Sequence, residues 1–198
     1  MAQHYLLKNC LLVNEGKITP TDVLIKNGRI EKIASSISNA DGATEINAEG
    51  KHLFPGVIDD QVHFREPGMA HKEDLESGSR SAVMGGVTAV FEMPNTNPLT
   101  TTRETFEAKI AAGTRRMHCD FAFFIGGTRE NYQNLPELER APGCAGVKVF
   151  IGSSTGSLLV EDDGGLVECA AAHIGQGRDF DDIVFRIFFD LLGIHHVI

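Results

Sequence analysis

Positive charge is scarce in this sequence and is nowhere concentrated. Eighteen Lys and Arg residues stand against 27 Asp and Glu residues, which gives a net charge of −9 at pH 7. An acidic chain without a basic cluster is a poor partner for nucleic-acid phosphates or for an anionic membrane surface. We therefore predict that neither nucleic acid nor membrane is a partner.

Long apolar runs are also missing. The first residues, 1–6, lack the charged start and long apolar core of a signal peptide. The most apolar segment, 183–192, is interrupted by Arg186 and Asp190 and is too short to cross a bilayer. We expect no signal peptide and no transmembrane segment.

Cysteine is sparse, and its spacing excludes two common roles. The four cysteines are far apart and form no Cys-x-x-Cys pair: Cys10, Cys119, Cys144 and Cys169. Such spacing disfavours both a structural zinc site and a disulfide framework. Free thiols in a reducing compartment are the simpler interpretation, so we predict a cytoplasmic protein.

The N-terminal quarter, residues 1–54, has the pattern of a small all-β unit. Short apolar runs at 5–13 and 23–25 are followed by Asn27-Gly28, a strong two-residue hairpin signal. The next segment, 29–33, alternates polar and apolar residues as a half-buried strand does. We predict a separate partial β-domain over 1–54.

After Phe54 the pattern changes to strands that alternate with helices. Strands are predicted at 57–64, 87–93, 119–125 and 146–151. Helices are predicted at 72–84 and 132–140, and a third helix runs from a capping box at 101–104 to Gly113. This alternation predicts a parallel α/β sheet over 55–163. In such folds, functional side chains collect at the carboxyl ends of the strands.

The first of these strands ends in a row of polar side chains. Because strand side chains alternate between faces, Asp59, Gln61, His63 and Arg65 share one side. Ile58, Asp60, Val62 and Phe64 then share the other side. Four polar groups in phase after an apolar run favour a functional site over a solvated strand end.

Two further residues fall at strand ends. Asn95 follows the second strand, and Lys148 lies in the fourth, flanked by Val147 and Val149. A lysine in this register points into a barrel interior, where burial lowers the pKa of its amine. A neutral buried amine can react with carbon dioxide to give a carbamate that bridges two cations.

These motifs resemble those of the dihydroorotases, enzymes of the amidohydrolase superfamily. The resemblance is carried by Asp-x-Gln-x-His and Phe-Arg-Glu-Pro-Gly at 59–68, Met-Pro-Asn-Thr-Asn-Pro at 93–98, and Gly-Val-Lys-Val-Phe at 146–150. It implies the N-terminal part of a small β-sandwich followed by the first half of a (β/α)8 TIM-type barrel.

The resemblance also implies an activity and a site. The family reaction is reversible hydrolysis of dihydroorotate, a small-molecule substrate, to N-carbamoyl-L-aspartate in pyrimidine biosynthesis, with two zinc ions. Carried over by motif, His63, Lys148 and Gln61 become metal ligands, and Arg65 and Asn95 bind substrate. Gln61 stands where most of the superfamily has His, and an amide oxygen is a weaker zinc ligand than imidazole. No catalytic acid or base is assigned.

Beyond residue 163 the sequence departs from the family, and 164–198 is a divergent tail. A complete barrel needs about 250 residues, so we expect an apparently truncated form that is inactive alone. The alternatives are a hydantoinase- or allantoinase-like cyclic amidohydrolase and a non-catalytic, amidohydrolase-like assembly partner. A homo-oligomer is possible. The tail segment 182–192 is apolar over most of a helical circumference and must be buried or associate.

Overall fold

The computed structural model describes residues 4–38, 40, 42–150 and 158. The chain divides into two compact units, Met1–Gly56 and Val57–Ile198. The predicted domain boundaries within the second unit stay predictions, because the proposed border at 163 lies outside the described residues.

The first unit is a single five-stranded sheet. Its strands are β1 (His4–Asn14), β2 (Lys17–Lys26), β3 (Arg29–Ala34), β4 (Thr44–Asn47) and β5 (His52–Leu53). The order is β3-β2-β1-β4, and the short β5 also pairs with β1. Neighbours along β3-β2-β1 are antiparallel, whereas β4 and β5 run parallel to β1. Leu6, Leu24 and Ile37 form the buried cluster of this unit.

Two tight turns set the antiparallel pairing. Asn27-Gly28 joins β2 to β3 with φ angles of 53° and 72°, which confirms the predicted hairpin. A second turn, Glu15-Gly16, joins β1 to β2 with φ angles of 49° and 70°. Two consecutive positive φ angles match the right-handed twist of the strands they connect. Sequence reasoning missed the second turn because Glu at its first position is an uncommon turn residue.

The second unit is an α/β sheet with helices between its strands. The strands are β6 (Val57–Val62), β7 (Val87–Glu92), β8 (Asp120–Gly126) and β9 (Cys144–Lys148). The helices are α1 (Leu75–Met84), α2 (Arg103–Gly113) and α3 (Leu135–Leu138), the last preceded by a 3-10 turn at Tyr132–Asn134. The order is β6-β7-β8-β9 and every pair is parallel, as the alternating pattern predicts.

Capping residues decide where α1 and α2 begin. The Asp74 carboxylate accepts a hydrogen bond from the Ser77 backbone N–H at 2.8 Å, so α1 starts three residues later than predicted. The predicted capping box of α2 is present, but Thr105 rather than Glu104 closes it with Thr102. In both helices a local hydrogen bond sets the boundary.

The predicted limits of the fourth strand were wrong. The fourth strand begins at Cys144 and ends at Lys148, whereas 146–151 was predicted. The strand starts early because β9 pairs with β8 from Phe123↔Cys144 onward.

The core of the second unit lies between the helices and the sheet. Its buried members include Leu75 of α1, Val90 of β7, Phe106 of α2 and Phe123 of β8, together with Phe64 after β6. By contrast, β6 is exposed at its start, with Val57 and Ile58 50% and 54% accessible. In the described part of the chain β6 pairs with β7 alone, so one of its edges is open.

Several predictions fall on residues that the structure does not describe. They include the tail 164–198 and its apolar segment 182–192. Among the described residues, no helix is long and apolar enough to cross a membrane. Of the cysteines in the described part, Cys10 and Cys119 are free thiols.

Candidate functional site

The site is built at the carboxyl ends of β6 and β7. His63 directly follows β6, Asn95 follows β7, and their side chains meet with His63 Nδ1 3.0 Å from Asn95 Oδ1. Because the amide oxygen can only accept, this contact places the imidazole proton on Nδ1. The lone pair of Nε2 is then available for an electrophile or a metal ion.

The surroundings of His63 favour its neutral form. Burial and then the neighbouring Arg65 charge lower the pKa of His63, whereas the Asn95 hydrogen bond raises it. The more distant charges of Lys148 and Lys109 also lower the pKa. A neutral imidazole is the form that binds metal ions.

Lys148 ends β9 and is nearly enclosed, with 7% of its surface exposed. Burial lowers the pKa of its amine to about 8, and the Asp60 carboxylate opposes this effect. Its Nζ lies 5.3 Å from the centroid of the Phe150 ring. The lysine that the sequence singles out is therefore buried at the strand end and close enough to act electrostatically on His63.

The pairing of β6 departs from the simple alternation assumed for this strand. The pairing of β6 with β7 shifts register between Asp59 and Val62, and the Gln61 backbone N–H bonds Asp59 Oδ1 at 3.1 Å. A strand that bends in this way does not keep strict alternation.

The other two candidate residues differ in how they join this group. Arg65 is half-buried, acts electrostatically on His63, and has a backbone φ of 66°. Gln61 is half-buried, but its side chain makes no hydrogen bond to another described residue. The structure thus connects His63, Arg65, Asn95 and Lys148 and leaves Gln61 without a link to them in the described part.

A buried ion pair beneath the site escaped sequence reasoning. The Lys109 ammonium of α2 pairs with Glu92 Oε2 at the end of β7, with the two side chains 0% and 1% exposed. Lys109 Nζ also donates to the Met93 carbonyl at 2.9 Å and lies 5.1 Å from the Phe123 ring centroid. A signal existed, because Lys109 follows Phe106 by three residues on the buried face of α2.

The Glu92 carboxylate reaches the chain that carries His63. The backbone N–H groups of Phe64 and Arg65 lie close enough to this carboxylate to lower its pKa. Burial raises the pKa of Glu92 to about 7, against the opposing effects of Lys109 and of both N–H groups. Burial also lowers the pKa of Lys109.

A second carboxylate, Glu66, secures the loop after Arg65. Its Oε2 accepts from the Leu75 N–H at 2.9 Å, and its Oε1 pairs with Arg116 at 2.6 Å. Gly68 completes the loop with a φ of 92°, and a Cβ there would collide with the carbonyl oxygen of Asn97. The loops after β6 and β7 therefore pack directly on each other.

The donor set was tested against the zinc pair that the family resemblance implies. Among the described residues there is no cluster of three or more His, Cys, Asp or Glu side chains that could hold a metal ion. A catalytic zinc site uses three protein ligands. His63 offers one, and Lys148 could ligate only after conversion to an anionic carbamate. The described residues thus do not complete a zinc site, and zinc stays a prediction.

The fold matches solved barrel enzymes. L-hydantoinase (dihydropyrimidinase) from Arthrobacter aurescens aligns with a TM-score of 0.81 at 32% identity, over 89% of this chain and 39% of that chain. A D-hydantoinase aligns with a TM-score of 0.72 at 27% identity, over 86% and 37%. The class is therefore defined: the described α/β unit is the N-terminal part of an amidohydrolase TIM-type barrel.

Sequence comparison narrows this class. Residues 50–142 match the family described as dihydro-orotase-like. A dihydroorotase of Methanosarcina acetivorans is 37% identical over 157 residues, or 79% of this chain and 33% of the relative. The L-hydantoinase of Paenarthrobacter aurescens is 34% identical over 165 residues, or 82% and 36%. Over residues 50–142 the chain belongs to the dihydro-orotase-like family.

The chain spans about a third of the length of the relatives that it matches. A dihydroorotase of Bacillus thuringiensis reaches 47% identity over 105 residues, but these are only 24% of its length. The predicted family and the predicted half-barrel fold are both confirmed. The roles of individual site residues stay predictions.

Proposed function

We propose that this chain provides the first half of the active site of a cyclic amidohydrolase that acts on dihydroorotate. The observation that supports it best is the contact between His63 Nδ1 and Asn95 Oδ1, with Arg65 and Lys148 acting on the same imidazole. The reaction would convert dihydroorotate and water to N-carbamoyl-L-aspartate in pyrimidine biosynthesis. The substrate is a small molecule, and the free thiols of Cys10 and Cys119 agree with a cytoplasmic location.

Arg65 is proposed as the residue that selects this substrate. Dihydroorotate carries a carboxylate on its ring, and a guanidinium binds a carboxylate with two parallel hydrogen bonds. Arg65 lies at the strand end next to the imidazole. A ring that lacks the carboxylate would not make these two hydrogen bonds to Arg65.

Asn95 is proposed to bind the ring amide. Its Oδ1 is engaged by His63, so its NH2 group is the part left to donate to a substrate carbonyl. The same contact orients His63 with Nε2 toward a possible metal ion. In this proposal one side chain positions both the ligand imidazole and the substrate.

Lys148 and Gln61 are proposed as further metal ligands, and each has a chemical requirement. The buried Lys148 amine, with its pKa lowered to about 8, would need to form a carbamate before it could ligate zinc. Gln61 would offer a weak amide oxygen.

A hydantoinase is the second candidate, because the L-hydantoinase from Arthrobacter aurescens aligns with a TM-score of 0.81. Hydantoins and dihydropyrimidines present the same cyclic amide without the ring carboxylate. The two candidates therefore make different predictions about Arg65.

The test is a comparison of two ligands that differ in one group. Binding of dihydroorotate and dihydrouracil to the 198-residue chain is measured by calorimetry or by ligand-detected NMR. We expect dihydroorotate to bind at least about tenfold tighter, since a hydrogen bond to a charged group is worth about 1.5–3 kcal/mol. R65M should remove this preference and leave dihydrouracil binding unchanged.

Arg129 offers the matched control, because it is an exposed arginine of the same unit. R129M should keep the preference for dihydroorotate. Equal binding of both ligands by the unaltered chain would favour the hydantoinase. A preference that survives R65M would refute the role of Arg65.

A further inference from the structure

Arg65 is held in a backbone conformation that a residue with a side chain rarely adopts. Its φ of 66° lies in the left-handed region, where a residue other than glycine is strained. Such a conformation persists only when its surroundings enforce it. The residue before it, Phe64, is buried in the core, and His63 precedes that.

The Glu92 carboxylate lies at this bend. The backbone N–H groups of Phe64 and Arg65, the two peptide groups at the bend, act on it and favour its charged form. A buried carboxylate is a strong acceptor, because hydrogen bonds to a charged group are roughly twice as strong as neutral ones. The bend is thus fixed from the neighbouring strand, β7.

Lys109 connects the same carboxylate to the second loop of the site. Its ammonium pairs with Glu92 and donates to the carbonyl of Met93, two residues before Asn95. The Met93 N–H in turn donates to the Val62 carbonyl at 3.0 Å. The chain segments that carry His63 and Asn95 are therefore tied to one buried pair.

We infer that the Glu92–Lys109 pair is a positioning device that holds His63 and Arg65 in register with Asn95. Neither residue faces substrate, since both side chains are fully enclosed. The inference rests on the proposed function only for what the positioned side chains are used for. Its test measures hydrogen exchange of backbone amides and melting temperatures. The inference can therefore fail independently of any ligand.

The first experiment replaces both charges by apolar residues of similar size, as E92L/K109M in the full chain. Such replacement of a buried pair often keeps global stability, but it removes the carboxylate beside the two N–H groups. Hydrogen exchange measured by NMR should become about tenfold faster or more at Phe64 and Arg65. The Phe123 amide, which bonds the Gly143 carbonyl in the core, should keep its protection.

The matched control is R103M/E137L, which deletes an exposed ion pair of 2.6 Å in the same unit. It should leave exchange at Phe64 and Arg65 unchanged. Unchanged protection of these two amides in folded E92L/K109M would overturn the inference. So would a loss of protection spread evenly over the second unit, because that is the result of a purely structural role.

A second measurement covers the case in which the double variant fails to fold. R65G removes the strain, since glycine adopts positive φ freely. If Glu92 holds that strained residue, R65G should raise the melting temperature of E92Q more than that of the unaltered chain. An equal effect in both backgrounds, or no rescue of an unfolded E92Q, would contradict the inference.

Discussion

At the scale of single residues, buried carboxylates do most of the local organisation. Glu92 fixes the bend beside the site, and Asp22 has a similar task in the first unit. The Asp22 carboxylate accepts from the backbone N–H groups of Asn9 and Ile37, each at 2.9 Å. Asn9 has a φ of 56° where the pairing of β1 with β2 shifts register. Asp22 thus stabilises an irregularity in the central strand.

We expect D22N to lower the free energy of unfolding by about 1–3 kcal/mol, because it weakens two charge-assisted hydrogen bonds. These bonds, from Asn9 first and Ile37 second, hold the pKa of Asp22 below its ordinary 3.8. The stabilisation is therefore present above pH 3.8 and is lost as the pH falls through the lower folded-state pKa. Urea unfolding at several pH values should show less acid sensitivity in D22N.

Glu31 of β3 is the control, because it is an exposed acidic residue of the same sheet. E31Q should change the free energy of unfolding by no more than about 0.5 kcal/mol. Equal acid sensitivity in D22N and the unaltered chain would show that Asp22 does not contribute in this way.

At the scale of elements, α1 packs unusually closely on the segment that carries the site. Gly78 of α1 is buried, and a Cβ built there would lie 2.7 Å from ring atoms of Phe64. Phe64 is the neighbour of His63 in the chain. The absence of a side chain at position 78 therefore lets the helix approach the end of β6.

We expect G78A to destabilise the second unit although alanine is the better helix former by about 1 kcal/mol. The added methyl group would overpack the contact with Phe64, and overpacking costs about 1–3 kcal/mol. S81A, on an exposed position of the same helix, should be neutral or slightly stabilising. Thermal unfolding of both variants checks this, and a higher melting temperature in G78A would refute it.

At the scale of the whole molecule, this chain holds part of a site. The described residues contribute one imidazole, one buried lysine and two candidate substrate-binding groups. The chain covers 33% to 36% of the dihydroorotase and hydantoinase relatives with which it aligns over most of its length. The open edge of β6 in the described part exposes apolar surface at Val57 and Ile58.

We predict that the 198-residue chain by itself does not hydrolyse dihydroorotate. The described residues offer no complete metal cluster, and a missing general base alone costs about 10²- to 10⁴-fold in rate. The check is a coupled assay for N-carbamoyl-aspartate with added zinc and bicarbonate. An ordinary enzymatic rate would require ligands from the tail histidines His173, His195 and His196, which lie outside the described residues, or from another chain.

Local signals in the sequence determined much of this protein. The hairpin at Asn27-Gly28, the alternation of strands and helices, and the motifs around His63, Asn95 and Lys148 were sufficient to predict the half barrel and the family. They work from sequence because turn chemistry, hydrophobic periodicity and motif spacing depend on neighbours in the chain. The close approach of His63 to Asn95 follows from the rule that parallel strands end at one edge.

Tertiary structure alone decided the rest. In the sequence Glu92 and Lys109 are two separate charged residues. Only the packing of α2 on the sheet brings them together in a buried pair. The positive φ of Arg65 and the burial that lowers the pKa of Lys148 likewise arise only in the folded chain. Burial and long-range pairing set these features, and neither is encoded in the residues next to each other in sequence.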